Sequence, residues 1–237
     1  MKKLVLLFAL FLAFATNAQE SYFTMYAFTV LPKDQGTIYQ LVNDFYSKNK
    51  PEGVTVSLYE NHFADAENKA THSIVFNGTL DALGNMYGGE PNDSFKLFLT
   101  QLNSHISEGG QSLAGHSTAT FGDNSMQYPI QRYYLLDVED QANFEKAFAE
   151  FSNKHTPAGM LVITGTISAG QSPHGENRWV ISGFKDFKAA LGGANKLISG
   201  PSLDARNKAW GELMANFDSH GGVRLVRDGM RVLMGQW

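Results

Sequence analysis

Cysteine is absent from the 237-residue chain. No disulfide can brace the fold, no thiolate can bind a metal or attack a substrate, and no cysteine lipid anchor can form. Long apolar runs are scarce as well. The one stretch of note, Leu4 to Ala15, is shorter than the ~20 residues that span a bilayer, and no later segment is long and apolar enough to do so. Basic runs are missing, and the formal net charge is −4. That balance argues against nucleic acid and against an anionic membrane surface as partners. There is no Gly-rich phosphate loop ending in Lys-Ser/Thr, no GxSxG elbow and no HExxH pair. The segment GEPNDS (89–94) lacks the acidic residues of a calcium loop.

The amino terminus has a clear pattern. Lys2 and Lys3 precede the apolar run, and Thr16-Asn17-Ala18 follow it before polar Gln19-Glu20. A basic start, a short apolar core and small residues before a cut describe a secretory signal peptide over residues 1–18. The expected protein is therefore exported, periplasmic or extracellular, and soluble once cleaved. Without disulfides its core alone must hold the fold, and the remaining chain is long enough for one sizeable core or two small ones.

The chain also repeats itself. Residues 34–53 read DQGTIYQLVNDFYSKNKPEG and residues 140–159 read DQANFEKAFAEFSNKHTPAG, with six identities in twenty positions and no gap. Ile38, Leu41, Val42 and Phe45 align with Phe144, Ala147, Phe148 and Phe151, the i, i+3, i+4, i+7 spacing of one helix face. Asp34 and Asp140 are candidate N-caps, and the Pro and Gly that follow end each helix. Strand-like segments come next, 54–63 and 72–78 in the first half, 160–169 and 177–183 in the second. A short and then a longer helix follow in each half. The longer helices end at Gly109-Gly110 and Gly221-Gly222, which read as C-caps with positive φ. Each half opens on a strand (22–31, 130–138) and closes on one (115–121, 223–234).

Strand, helix, strand, strand, helix, strand is the ferredoxin-like plan. The expected class is α+β, with two tandem βαββαβ repeats, 19–121 and 130–237, joined by a Gly-, Asn- and Pro-containing linker at 122–129. The opening strand YFTMYAFTVL is apolar on both sides, so the sheet needs cover on its second face, and the other half's sheet can supply it face to face. On this element order the chain resembles the dimeric α/β-barrel superfamily, with both units in one chain as a pseudo-dimer, and a monomer is expected. The resemblance implies a shared cavity. It also implies a range of activities: cofactor-free monooxygenases of the antibiotic-biosynthesis type, haem-degrading enzymes, chlorite dismutase-like haem proteins, and members with no known activity. No family motif selects one of these.

Polar and aromatic residues of the strands are the cavity candidates: Tyr26, Tyr59, His116, Arg132, Tyr134, Arg178 and Trp179, with Tyr133 beside them. A one-residue slip exchanges the faces, so the register decides which of them point inward. Arg132 and Arg178 draw attention because an unpaired buried charge is costly; pairing with Asp or Glu at a strand end is their ordinary state. His62 and His72 fall opposite each other if the hairpin turns near Glu67, and two imidazoles with Asp65 or Glu67 could hold a transition metal. Two solvated histidines at a hairpin tip are the ordinary alternative. No cofactor is expected from the residues, with haem or a metal ion as the lesser alternatives. The expected function is binding of a small apolar or aromatic molecule between the sheets. An oxygenase-type enzyme and a solid-cored, partner-binding domain are the other readings.

Overall fold

The apolar residues of the strand Tyr22–Val30 (β1) fall on both of its sides, so both faces of its sheet need cover. The structure, a computed structural model, describes residues 21–237 and covers the two faces differently. Phe28 and Val30 meet helices on the outside, whereas Phe23 and Met25 join an apolar cluster on the inside. The expected leader at 1–18 lies outside the described residues.

The first half continues with α1 (Gln35–Tyr46), β2 (Val54–Ala64), β3 (His72–Gly78), α2 (Leu80–Gly88), α3 (Asp93–Ser104) and β4 (Ile106–Gly122). The second half follows the same order: β5 (Ile130–Val138), α4 (Gln141–His155), β6 (Met160–Ala169), β7 (Arg178–Phe184), α5 (Phe187–Gly192), α6 (Pro201–Asp218) and β8 (Val223–Gln236). The eight strands close into one antiparallel barrel in the order β1-β3-β2-β8-β5-β7-β6-β4. Facing sheets were the expectation from sequence; here the two groups of four are also hydrogen-bonded edge to edge, through β2–β8 and β4–β6. The last strand of each half makes this possible by its length. Residues 106–116 of β4 pair with β1 and residues 114–122 with β6. Residues 223–232 of β8 pair with β5 and residues 229–236 with β2.

The helices lie on the outer face. In the second half Phe144 stacks on Phe148 and Phe217, with ring centroids 5.3 and 5.1 Å apart. Each such buried side chain contributes roughly 1.5–3 kcal/mol. Asp140 caps α4 as its position suggests, accepting from the Asn143 amide at 2.9 Å. Asp34 does not cap α1; its carboxylate instead meets His105 Nδ1 at 3.1 Å. Gly221 and Gly222 have φ of 88° and 91°, as a helix exit by glycine requires. Gly109 and Gly110 are different. They lie inside β4, where Gly109 pairs with Phe28 at a register shift and a Cβ on Gly110 would come 3.0 Å from the Ala27 carbonyl oxygen. Close backbone approach, not a helix cap, explains that pair.

His72 is fully buried on β3. Its ring stacks on Phe28 at 6.0 Å, Nδ1 shares a hydrogen bond with Thr71 Oγ1 at 2.9 Å, and Nε2 has no partner. Burial pushes its pKa below the ordinary imidazole value, against an opposing pull from Glu60. The unfolded imidazole takes a proton near pH 6.5, the folded one only at lower pH. Between these values the unfolded state holds more protons, so acidification destabilises the fold. Urea melts at pH 7.5, 6.5 and 5.5 should show falling stability below about pH 6.5, by at most ~1.4 kcal/mol per pH unit from this group. His72→Phe should flatten the slope; an unchanged slope would assign the loss to other groups.

Candidate functional site

Alternate residues of all eight strands point into the barrel, and they do not fill it. A cavity of about 430 Å³ remains. Two inward aromatic rings are seated on glycines. A Cβ at Gly165 would lie 2.5 Å from the Trp179 ring, and one at Gly229 would lie 2.5 Å from the Tyr133 hydroxyl. Glycine at these two positions lets the rings lie flat against the wall instead of crossing the interior.

The wall has two chemistries. Around β1, β4, β6, β7 and the second half of β5 it is apolar: Leu113, Leu135, Ile167 and Trp179 are buried together, with Phe23 and Met25 packed against them. Around β2, β8 and the start of β5, with Gln131 and Tyr133, it is polar and cationic. Arg231 is 7% exposed. Its guanidinium lies 4.0 Å from the centre of the Tyr59 ring, and its Nε donates to Gln131 Oε1 at 3.0 Å. No carboxylate lies within ion-pair distance of it among the described residues, whereas Arg178, Arg224 and Arg227 pair with Glu145, Asp137 and Asp65 at 2.5, 2.7 and 3.4 Å. Burial pushes the Arg231 pKa down, with Tyr59 and Tyr133 acting the other way; a guanidinium stays protonated through such a change.

The loop between β2 and β3 contributes Asn68 to the cavity wall. Asp65 Oδ1 accepts from the Glu67 and Asn68 amides at 3.0 Å each, a local turn that turns Asn68 toward the interior. Asn68 Nδ2 then donates to the Tyr133 hydroxyl at 2.9 Å. Arg227 Nη1 donates to Gln111 Oε1 at 3.0 Å, and Gln111 Nε2 donates to Glu176 Oε1 at 2.6 Å. Burial opposes the Glu176 carboxylate, but hydrogen bonds from Ser172 and Gln111 outweigh it and hold the carboxyl below its usual range.

Of the residues singled out from sequence, Tyr59, Tyr133 and Trp179 line this interior. Arg132 and Tyr134 face the other way, into a helix–sheet cleft of the second half. Arg178 also points outward, to Glu145 on α4. Tyr26 is exposed and hydrogen-bonded to Tyr87. His116 sits beside Tyr22 and Thr166 on the outer side. The period of two explains the split: Tyr133 and Trp179 are inward, so their neighbours Arg132, Tyr134 and Arg178 are outward. His62 and His72 are not opposite each other, because His72 pairs with Glu60. His62 instead contacts Phe63 and Phe187, and the described residues contain no group of three His, Asp or Glu side chains able to hold a metal ion. Asp65 is engaged with Arg227 instead. Arg231, Arg227 and Gln131 escaped notice in the sequence. The pattern Arg227-x-Gly229-x-Arg231 on one strand face was the available signal.

The cleft encloses about 570 Å³ between α4, α6 and the outer face of β5 and β7. Phe144, Phe148, Phe151 and Trp210 line it, with Arg132, Arg206 and His155. In the corresponding layer of the first half Phe45 stacks on Phe98 at 4.3 Å, and Tyr46 and Trp237 pack beside them. His155 leans against Phe151 at 5.3 Å and is the single imidazole lining the cleft, so it would be the residue there to offer haem a nitrogen ligand.

No protein-family model and no curated protein matches the chain. Solved structures do. A protein named as a putative monooxygenase, from Fusobacterium nucleatum subsp. nucleatum, aligns at 16% identity over 92% of this chain and 94% of its own, with a TM-score of 0.57. An anthrone oxidase-like protein aligns at 12% identity over 93% and 94%, TM-score 0.56. A mutant chlorite dismutase from Candidatus Nitrospira defluvii aligns at 11% identity over 91% of each chain, TM-score 0.51. At these identities the likeness is one of fold, in keeping with the dimeric α/β-barrel resemblance.

Gly165→Ala should displace Trp179, since the new Cβ would meet the ring and, closer still, the His116 carbonyl oxygen. A loss of about 1–3 kcal/mol and a changed tryptophan emission are expected. Gly211→Ala on α6, where a Cβ would have no atom within 4 Å beyond the helix's own backbone, should instead be neutral or stabilising by up to ~1 kcal/mol.

Proposed function

We propose that this is an exported, monomeric protein that holds a small apolar or aromatic molecule inside its barrel. The observation that carries the proposal is the unfilled interior of about 430 Å³, within the ~300–1,000 Å³ of small-molecule sites. Close packing is the norm in protein interiors, and a barrel of this kind could fill itself with larger side chains. Glycines and short polar residues stand there instead. Export rests on the Lys2–Ala18 pattern. The monomer rests on closure: every strand edge of the barrel is paired within the chain, so no second copy is needed to cover one. Binding is favoured over catalysis by the placement of the imidazole–carboxylate pairs. His105–Asp34, His62–Glu60 and His174–Glu67 all lie outside both cavities.

A second reading, an oxidative enzyme of the monooxygenase or haem type, is favoured by the cleft of the second half together with the monooxygenase and chlorite dismutase fold neighbours. There His155 would be the residue to hold haem, and Arg132 and Arg206 would lie at the cleft wall to meet an anionic group.

One titration series separates the two. The uncharged fluorophore N-phenyl-1-naphthylamine should bind wild-type protein saturably, one per chain. Val75→Phe, which narrows the interior, should weaken binding at least tenfold, as lost packing space of this size implies, while circular dichroism stays native. No saturable binding, or binding indifferent to Val75→Phe, would overturn the proposal. Haemin should give no saturable Soret shift; a shift abolished by His155→Ala would favour the enzyme.

A further inference from the structure

From the interior-binding proposal, on which this step rests, we infer that the ligand is an apolar monoanion whose head is a carboxylate seated on Arg231. Three observations converge. First, Arg231 is a buried cation lining the cavity and has no carboxylate partner among the described residues. Its neighbour Arg227 is already neutralised by Asp65, so the interior has one unmatched positive charge and calls for one negative charge.

Second, the guanidinium is held for use. Gln131 takes its Nε, and Tyr59 lies under its plane. The two Nη groups have no protein acceptor among the described residues and present a planar fork of donors, the geometry that matches a carboxylate. Third, further donors stand nearby. The Tyr133 hydroxyl lies over Gly229, two residues from Arg231 on the same inward face. It accepts from Asn68, which leaves its own hydrogen free. The Tyr59 hydroxyl accepts weakly from Gln131 Nε2 at 3.4 Å, with the same consequence.

The body of the ligand is set by the wall across from this seat. Leu113, Ile167 and Trp179 offer no hydrogen-bond acceptor or charge there, and the Trp179 indole N–H is already given to the Thr166 carbonyl at 3.1 Å. A chain or ring of hydrocarbon fits that side and a dicarboxylate does not, because its second charge would be buried without a partner.

The test uses decanoate and 1-decanol, which share a tail and differ in the head. Isothermal titration calorimetry of the protein at pH 7.5 should give decanoate binding at least tenfold tighter than 1-decanol, the increment expected of a charge-assisted pair out of water. Arg231→Gln should abolish that preference and leave 1-decanol binding within about threefold of wild type. Equal binding of acid and alcohol by wild type would overturn the carboxylate seat while leaving the interior site standing. Retention of the preference in Arg231→Gln would overturn the assignment to Arg231. If neither compound binds, the interior-binding proposal itself falls.

Discussion

Closure of the barrel depends on two strands that each serve both halves. β4 and β8 are 17 and 14 residues long, and each begins against its own half and ends against the other. Eight strands in a closed sheet have an interior only just wide enough for side chains to fill. Whether they fill it is then decided residue by residue. Here Gly165 and Gly229 allow Trp179 and Tyr133 to lie against the wall, and short polar residues take other inward positions. Closure thus fixes the space, and small residues keep it open.

The same two strands make the interior asymmetric. The seam that β8 forms with β2 brings in Arg227 and Arg231, beside Tyr59 and Asn61. β4 contributes Leu113 and lies next to β6 with Ile163 and Ile167. A cavity with charge on one side and hydrocarbon on the other suits a molecule with the same division. Arg231 is the costly element. A buried ion without a counter-ion carries an effective penalty of several kcal/mol, and groups kept at such cost cluster at functional sites. The halves differ outside the barrel as well, where Phe45, Phe98 and Trp237 close the helix–sheet layer of the first half and the second leaves a cleft.

Much of the fold was legible because it rests on local period. The helix face Phe144, Phe148, Phe151 and the two-sided strand Tyr22–Val30 announce themselves without any knowledge of partners. What needed partners was misread or missed. Gly109-Gly110 looked like the helix exit that Gly221-Gly222 is, because only the approach of Ala27 reveals its purpose. His62 and His72 looked matched until the ladder placed His72 against Glu60. The site was legible only in part for the same reason. Tyr59, Tyr133 and Trp179 face the interior as aromatic strand residues can, but Arg132, Tyr134 and Arg178 lie one residue from inward positions and point to helices. Arg231 is not legible in the sequence, because a charge in a closing strand tells nothing of its side until that strand's pairing with β2 and β5 is known.

What occupies the barrel is the deciding question. Crystals grown with 10-bromodecanoate, with diffraction recorded at the bromine edge, locate the far end of the ligand directly. A bromine peak against Trp179 and Ile167, with carboxylate density on the Arg231 guanidinium, is the predicted result. A peak in the cleft between α4 and α6, or a barrel interior that holds only solvent, would contradict it.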